Sequence, residues 1–307
     1  MSILRKKFAI VKKEMDKEIA CRLKTETLPT GIVKETHNYF NSKEKMNEMN
    51  VYYPEGTTNP LPAIIDIHGG GWVSGDKELN RNFCMHLAKS NFVVISMSYR
   101  LCVPFTIKDQ IVDLFACYHY IIAHASSMFI DKSHIYFAGD SAGAMLALLT
   151  YAIMQNKGLQ DGLCMNELPF FKEKDHMVIR ALQLNHPVPY MHSMNLIKNK
   201  MFNKIANDFL LKLFVGKKNT YIYKHISFED YKDLVEYPPI ILISSEGDKN
   251  FKEQSFRLFK DLKKNGSLVE FKFNKDPNLQ HVYNVTYPDT KEALITNKEI
   301  IDFFNKY

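Results

Sequence analysis

The chain has 307 residues, and 46% of them are apolar, which is enough for a full globular core. No apolar run reaches the ~18 residues of a membrane span, and the five cysteines form no CxxC pair, which argues against a disulfide framework. The net charge of +6 is dispersed over segments of mixed sign, so we expect no nucleic-acid partner.

Two further absences bound the function. There is no HExxH motif and no Cys/His cluster, so we expect neither a metal nor a cofactor. The basic N-terminus lacks the unbroken apolar stretch of a signal peptide, so we expect a cytoplasmic protein.

The first predicted element is an amphipathic helix over residues 3–23. Its apolar stripe has helical spacing and consists of Leu4, Phe8, Val11, Met15 and Ile19. Residues 36–53 are predicted to add an antiparallel strand pair at one edge of a sheet.

Short apolar runs then alternate with helical patterns. The runs are typical of parallel strands buried on both faces, and they lie at 63–67, 92–97, 134–139, 178–184 and 239–244. Helices are predicted over 106–123, 142–154 and 250–264. This alternation predicts an α/β fold, a mostly parallel sheet covered by helices on both faces.

Residues 187–236 interrupt the alternation. The segment is too long for a simple connection, and much of it reads as helix. We therefore expect a single domain with a core of 36–186 and 237–307, covered by a helical cap formed by 1–35 and about 187–236.

The stretch "GDSAG" (139–143) lies between a predicted strand and a predicted helix. In this G-x-S-x-G context a serine sits on a sharp turn with its hydroxyl exposed, so Ser141 is the candidate nucleophile. Asp140 is adjacent on the turn and points away from the serine, so we assign it at most to the substrate pocket.

The glycine triplet of "HGGGW" (68–72) follows another buried strand. Glycines let backbone N–H groups approach a developing oxyanion, so Gly70 and Gly71 are the candidate donors, together with the N–H of Ala142. Trp72 is a candidate for the pocket wall, although a packing role explains it equally well.

A serine nucleophile needs a base, which in this topology follows it in the order Ser, acid, His. Five histidines follow Ser141, namely His176, His186, His192, His225 and His281. His281 alone lies beyond the last clear strand, and it is the candidate base. Asp248 is preferred as the acid over Glu246, and both follow the strand 239–244.

Together these motifs resemble the hormone-sensitive-lipase-like branch of the α/β-hydrolase fold. The stretch "SYRLCVPFTIKDQIVD" (98–113) is similar to the family's Y-R-L-A-P segment, and "EGDKNF" and "QHVY" look like its acid and histidine loops. The acid loop departs from the family's D-x-L-x-D pattern, reading "DKNFK", so the choice between Asp248 and Glu246 stays open.

The resemblance implies a carboxylic-ester hydrolase, a serine esterase that works through an acyl-enzyme. The small, covered site expected under the cap predicts a preference for short-chain carboxylic esters. An amidase or sugar deacetylase on the same triad remains an alternative. So does a catalytically silent small-molecule binding protein of the same fold. The sequence leaves a homodimer open.

Overall fold

A computed structural model describes residues 3–40, 45–102, 104–166, 168, 178–192 and 224–307, with only the backbone given for residues 3–9 and 11. Its centre is one sheet of eight strands in the order β1-β2-β4-β3-β5-β6-β7-β8. The strands are Ile32–Asn38, Glu48–Pro54, Leu61–Ile67, Val93–Met97, Ile130–Asp140, Ala181–Asn185, Ile240–Ser245 and Val269–Asn274.

Nine α-helices lie within the described residues, and we number them α1 to α9 in chain order. They are Ile3–Thr25, Arg81–Ala88, Ile107–His124, Ala142–Gln155, Lys157–Gly162, Phe228–Tyr231, Lys252–Lys264, Tyr283–Thr286 and Lys291–Lys306. None of the helices in this part of the chain has the length and apolar character required to cross a bilayer.

The sheet confirms the predicted mostly parallel α/β architecture. Strands β4, β3, β5, β6, β7 and β8 run parallel, and β1 and β2 form the predicted antiparallel pair at one edge. The predicted strand at 178–184 is shifted, since β6 begins only at Ala181. Helices α2, α5, α8 and α9 were not predicted.

The core has two layers because successive strand residues point to opposite faces. Ile64 packs on the side of α2 and α9, whereas Ile65 packs on the side of α3 and α4. Both side chains are buried, which explains the continuous apolar runs in the sequence.

Helix α1 lies over the loop that follows β3. The hydroxyl of Ser74 donates a hydrogen bond to the Asp16 carboxylate, and the Arg22 guanidinium donates to the carbonyl oxygen of Leu79. This places the N-terminal helix against the carboxyl end of the sheet. The central part of the predicted insertion, 193–223, lies outside the described residues, as do the side chains of Leu4, Phe8 and Val11.

Candidate active site

Ser141 occupies the sharp turn between β5 and α4. Its backbone has φ 53° and ψ −112°, a left-handed conformation that is rare for a residue with a side chain. Its N–H donates to the carbonyl oxygen of Asn185 at 2.8 Å. A Cβ at Gly143 would lie 1.8 Å from the carbonyl oxygen of Ile67, so only glycine allows α4 to pack this closely on β3.

The loop after β3, residues 68–75, contains the glycine triplet, and we call it the oxyanion loop after the role that the sequence predicts for it. Gly70 has φ 93°, and its carbonyl oxygen accepts hydrogen bonds from the N–H groups of Val73 and Ser74 at 3.1 and 3.0 Å. A Cβ on Gly70 would lie 2.1 Å from the Ser74 carbonyl oxygen. The triplet therefore forms a tight turn that a side chain would prevent.

Asp140 ties this loop to the serine turn. Its buried carboxylate accepts hydrogen bonds from the Gly69 N–H at 2.9 Å and from the Asn80 amide at 2.8 Å. The same Asn80 amide donates to Asp66 at 3.0 Å. Asp140 therefore acts on the position of the oxyanion loop.

The two buried carboxylates have perturbed pKa values. Burial, and then the nearby Asp140, raises the pKa of Asp66 to about 8. Burial also raises the pKa of Asp140, although the Asn80 amide and the charges of His68 and His281 oppose that rise. The charge of His281 thus reaches Asp140, next to Ser141.

Two further contacts fix the ends of the oxyanion loop. The Tyr99 hydroxyl donates to the carbonyl oxygen of His68 at 2.6 Å, and the two rings stack at 4.2 Å. Trp72 is 4% exposed, and its carbonyl oxygen accepts from the Gln110 amide at 2.9 Å and from the Cys102 N–H at 2.7 Å. Trp72 thus anchors the loop through its backbone.

The loop after β7, residues 246–251 (the acid loop), meets the loop after β8, residues 275–282 (the histidine loop). His281 donates from Nδ1 to Asp248 Oδ2 at 2.8 Å. The Phe251 N–H donates to the other oxygen of Asp248 at 3.0 Å. The competing Glu246 instead pairs with Lys252.

Asp248 is buried yet stays ionised. Burial favours its neutral form, but the hydrogen bond and charge of His281, with smaller contributions from His186 and the Phe251 N–H, hold the pKa of Asp248 below its usual value. An ionised Asp248 can only accept, so Nδ1 of His281 carries the hydrogen of this bond and the ring is held with Nε2 on its other side.

All the residues predicted for the site lie at the carboxyl ends of parallel strands. Gly70 and Gly71 follow β3, Ser141 and Ala142 follow β5, and the acid and histidine loops follow β7 and β8. Strand β6 separates the two groups, and it ends at Asn185 and His186.

The sequence analysis missed two buried polar residues here. Asn80 bridges Asp66 and Asp140, and His186 packs edge-on to His281 with ring centroids 5.4 Å apart. His186 directly follows a buried strand, and that position at the carboxyl edge of the sheet was the available signal. Asn80 offered no such signal. Within the ranges that the structure describes, no group of three or more His, Cys, Asp or Glu residues is arranged to hold a metal ion.

Comparison with known families gives one match over most of the chain. The BD-FAE family model matches residues 49–262, from β2 to the end of α7. The matched segment contains both glycine motifs and the acid loop.

Solved structures share the whole fold. Esterase B from Lactobacillus rhamnosis (HN001) is 28% identical, with a TM-score of 0.90 over 99% of this chain and 94% of that chain. An esterase from the bacterial hormone-sensitive lipase family has a TM-score of 0.70 at 20% identity over 95% of this chain and 90% of that chain. The predicted hydrolase fold and the resemblance to esterases of this kind are confirmed.

A curated relative matches over a shorter segment. The versiconal hemiacetal acetate esterase of Dothistroma septosporum is 34% identical over 115 residues, which is 37% of this chain. The alignment spans 35% of that relative's length, so the chain matches only about a third of it.

The raised pKa of Asp66 predicts a pH-dependent stability. Between pH 3.8, the ordinary pKa of an aspartate, and about pH 8, Asp66 holds a proton in the folded protein that it has lost in the unfolded chain. The free energy of unfolding should therefore fall as the pH rises through this range. Asp66→Asn keeps an acceptor for Asn80 and should be more stable than the native chain at pH 8 by at least about 1 kcal/mol.

Urea denaturation at pH 5 and pH 8 measures this difference. Asp302→Asn, an exposed substitution on α9, is the control and should leave the pH dependence unchanged. An Asp66→Asn variant with the native pH dependence would show that Asp66 does not hold the proton.

Proposed function

This chain belongs to the BD-FAE family, and from that membership we propose that it is a carboxylesterase that cleaves short-chain esters through a Ser141–His281–Asp248 triad. The observation that carries the proposal is the hydrogen bond between His281 and the buried Asp248, at the same edge of the sheet as a serine on a strained turn. A serine, a base and an orienting acid are the parts that acyl transfer requires.

In the proposed first step, Nε2 of His281 takes the hydroxyl proton of Ser141 as the oxygen attacks the ester carbonyl. The serine–carbonyl bond forms, and the carbonyl electron pair moves onto oxygen. His281 then gives its proton to the departing alcohol, and the acyl-enzyme remains. Water, deprotonated by His281, releases the acid in the second half.

Asp248 is the proposed orienting acid because its carboxylate accepts the Nδ1 proton of His281. As an anion it also stabilises the imidazolium formed in each half-reaction. Glu246 is 44% exposed at its side chain and is committed to Lys252, which leaves it badly placed for that role.

The proposed oxyanion hole is formed by the N–H groups of Gly70, Gly71 and Ala142. Ala142 is the first residue of α4, so the positive end of that helix dipole adds to its donor. Preorganised donors of this kind contribute several kcal/mol to acyl transfer.

We propose that α1 forms the described part of a cap over this site. The methyl carbon of Met15 is the nearest atom, at 4.0 Å, to the place where a Cβ on Gly71 would stand. With Asp16 held by Ser74, this puts the helix beside the proposed oxyanion hole. Trp72 and Asp140 are then supports of the pocket rather than its surface, since both are buried.

A covered site favours small substrates. Esterase B from Lactobacillus rhamnosis has been solved with a C4-C4 tributyrin phosphonate inhibitor, and it is 28% identical to this chain. We extend the short-chain preference to the present protein as part of the proposal, and we keep the cytoplasm as its proposed location.

The sequence analysis left two alternative functions, and they differ in what the protein would do with an ester. An amidase or sugar deacetylase would use the same residues on another acyl group. A silent binding protein would bind an ester without turning it over. The buried, ionised Asp248 beside His281 favours catalysis, because an unused base does not need an orienting anion.

We predict that a fluorophosphonate labels the protein at Ser141 alone, because only this serine lies on the strained turn. Peptide mapping by mass spectrometry locates the label, and Ser141→Ala should remove both the label and the turnover of p-nitrophenyl acetate. Ser133→Ala, at an exposed serine at the start of the same strand, is the matched control. A label elsewhere, or none on folded protein, would contradict the proposal.

Asp248→Ala should lower kcat by about 10³-fold or more, because the imidazolium of His281 loses its orienting anion. Glu246→Ala should stay within about threefold of the native kcat, because it removes only a half-exposed ion pair. Both are measured on one ester, with circular dichroism to confirm folding. The reverse pattern would assign the acid to Glu246.

Activity should be highest on esters of about two to six acyl carbons, a range that follows from typical pocket sizes. Deleting residues 1–25 should change that preference or impair turnover, because α1 packs on the oxyanion loop. A series of p-nitrophenyl esters tests both statements. An unchanged profile after the deletion would remove α1 from the cap.

A further inference from the structure

His186 stands at the end of β6, between the two halves of the candidate site. It is fully buried, and its backbone has φ 48°. Its N–H donates to the carbonyl oxygen of Ile243 at 2.8 Å. A residue with a side chain keeps this strained backbone conformation only where its surroundings hold it, and such residues concentrate at functional sites.

A chain of amides fixes one proton of the His186 ring. The chain ends at the backbone carbonyl oxygen of Asn284. This oxygen can only accept, and it accepts a hydrogen bond from the side-chain amide of Asn297 at 3.0 Å. Asn297 in turn accepts from Asn284, and Asn284 accepts from Asn185, both at 2.9 Å. Asn185 therefore offers its oxygen to His186 at 2.6 Å, so Nδ1 carries a hydrogen.

The other ring nitrogen faces Ser245. Burial, and then the charge of His281, lowers the pKa of His186 to about 3, so the ring is neutral and its Nε2 is an acceptor. The Ser245 hydroxyl lies 3.0 Å from this nitrogen and 2.8 Å from the carbonyl oxygen of Leu279, and its single proton is donated to one of these two acceptors at a time. Ser245 thus stands between His186 and the histidine loop.

The acid and histidine loops meet closely at this point. A Cβ on Gly247 would lie 2.1 Å from the same Leu279 carbonyl oxygen. Leu279 is two residues before His281, and Gly247 is next to Asp248. A small shift at Ser245 would therefore move the two partners of the His281–Asp248 hydrogen bond relative to each other.

His186 also contacts the proposed base directly. The rings of His186 and His281 lie edge to face, 5.4 Å apart at 79°. Tyr283 packs on His186 at 5.9 Å, and Phe251 packs on His281 at 4.9 Å. The groups with charge that face His186 are His281 and Asp248.

We infer that His186 is a positioning residue for His281: its ring packs on the imidazole of His281, and its Nε2, together with the Leu279 carbonyl oxygen of the histidine loop, offers the two acceptors between which the Ser245 hydroxyl at the end of β7 is held. The inference rests on the proposed function, because it assigns a role around the proposed base. If His186 only packed, kcat would depend on the volume of its ring. The positioning role predicts instead that loss of the contact between Nε2 and Ser245 lowers kcat even when the ring volume is kept.

Three substitutions of His186 and one of Ser245 separate these two roles. His186→Gln places a polar group where Nε2 stands, and His186→Asn places one only where Nδ1 stands. His186→Phe keeps an aromatic ring without either nitrogen. Ser245→Ala removes the bridge from its other side. We expect His186→Gln to stay within about threefold of the native kcat, and the other three to lose about tenfold or more, with KM within about twofold.

A second measurement does not need activity. The Nδ1 proton of His281 bonded to Asp248 should give a low-field proton NMR signal, assigned by its loss in His281→Ala. The signal should persist in His186→Gln and shift or broaden in His186→Phe and Ser245→Ala. His134→Phe, at a half-buried histidine on β5, is the matched control and should change neither measurement.

Folded His186→Phe and Ser245→Ala proteins with native kcat and a native low-field signal would overturn the inference. If His186→Phe does not fold, Ser245→Ala alone decides by the same criteria. A native protein that turns over no ester would count against the proposed function, whereas the NMR comparison would still decide whether His186 positions His281.

Discussion

The hydrogen bond from the Gly69 N–H to the carboxylate of Asp140 is the interaction on which the candidate site depends. It joins the loop after β3 to the turn after β5, and Asn80 holds the same carboxylate from a third segment. Each of these groups is buried, so an unpaired partner would carry its full desolvation cost. The glycine loop is therefore held in place by the fold itself, which is what the proposed oxyanion hole requires.

Much of the fold was predictable because parallel strands that are buried on both faces have continuous apolar sequences. Ile64 and Ile65 illustrate this, because they are neighbours in sequence and pack on opposite faces of the sheet. The start of β6 was not predictable, because Val178 and Ile179 extend the apolar run beyond the hydrogen-bonded ladder. Helix α9 was not predicted because its lysines, asparagines and acidic residues interrupt the apolar stripe that buries Ile300 and Phe304.

Candidate site residues were predictable where their backbone conformation requires a short sequence motif. They were less predictable where only a partner that is distant in sequence distinguishes them. Ser141 and the glycine triplet stand in short motifs whose geometry demands those residue types. Asp248 and Glu246 looked alike in sequence, and only the meeting of two distant loops distinguishes their partners, His281 and Lys252. His186 and Asn80 belong to networks closed in three dimensions, which a linear pattern does not record.

The left-handed backbone at position 141 also restricts how this protein could have evolved. Val282 shows that a β-branched residue can hold a positive φ in this chain, at φ 52° and ψ 33°, but Ser141 combines its φ of 53° with a ψ of −112°. A second heavy atom on Cβ restricts the side chain further in such a conformation, so threonine, although chemically the nearest substitute, is disfavoured, whereas cysteine keeps the single γ atom of serine. The backbone of the turn therefore limits which side chains can replace the serine.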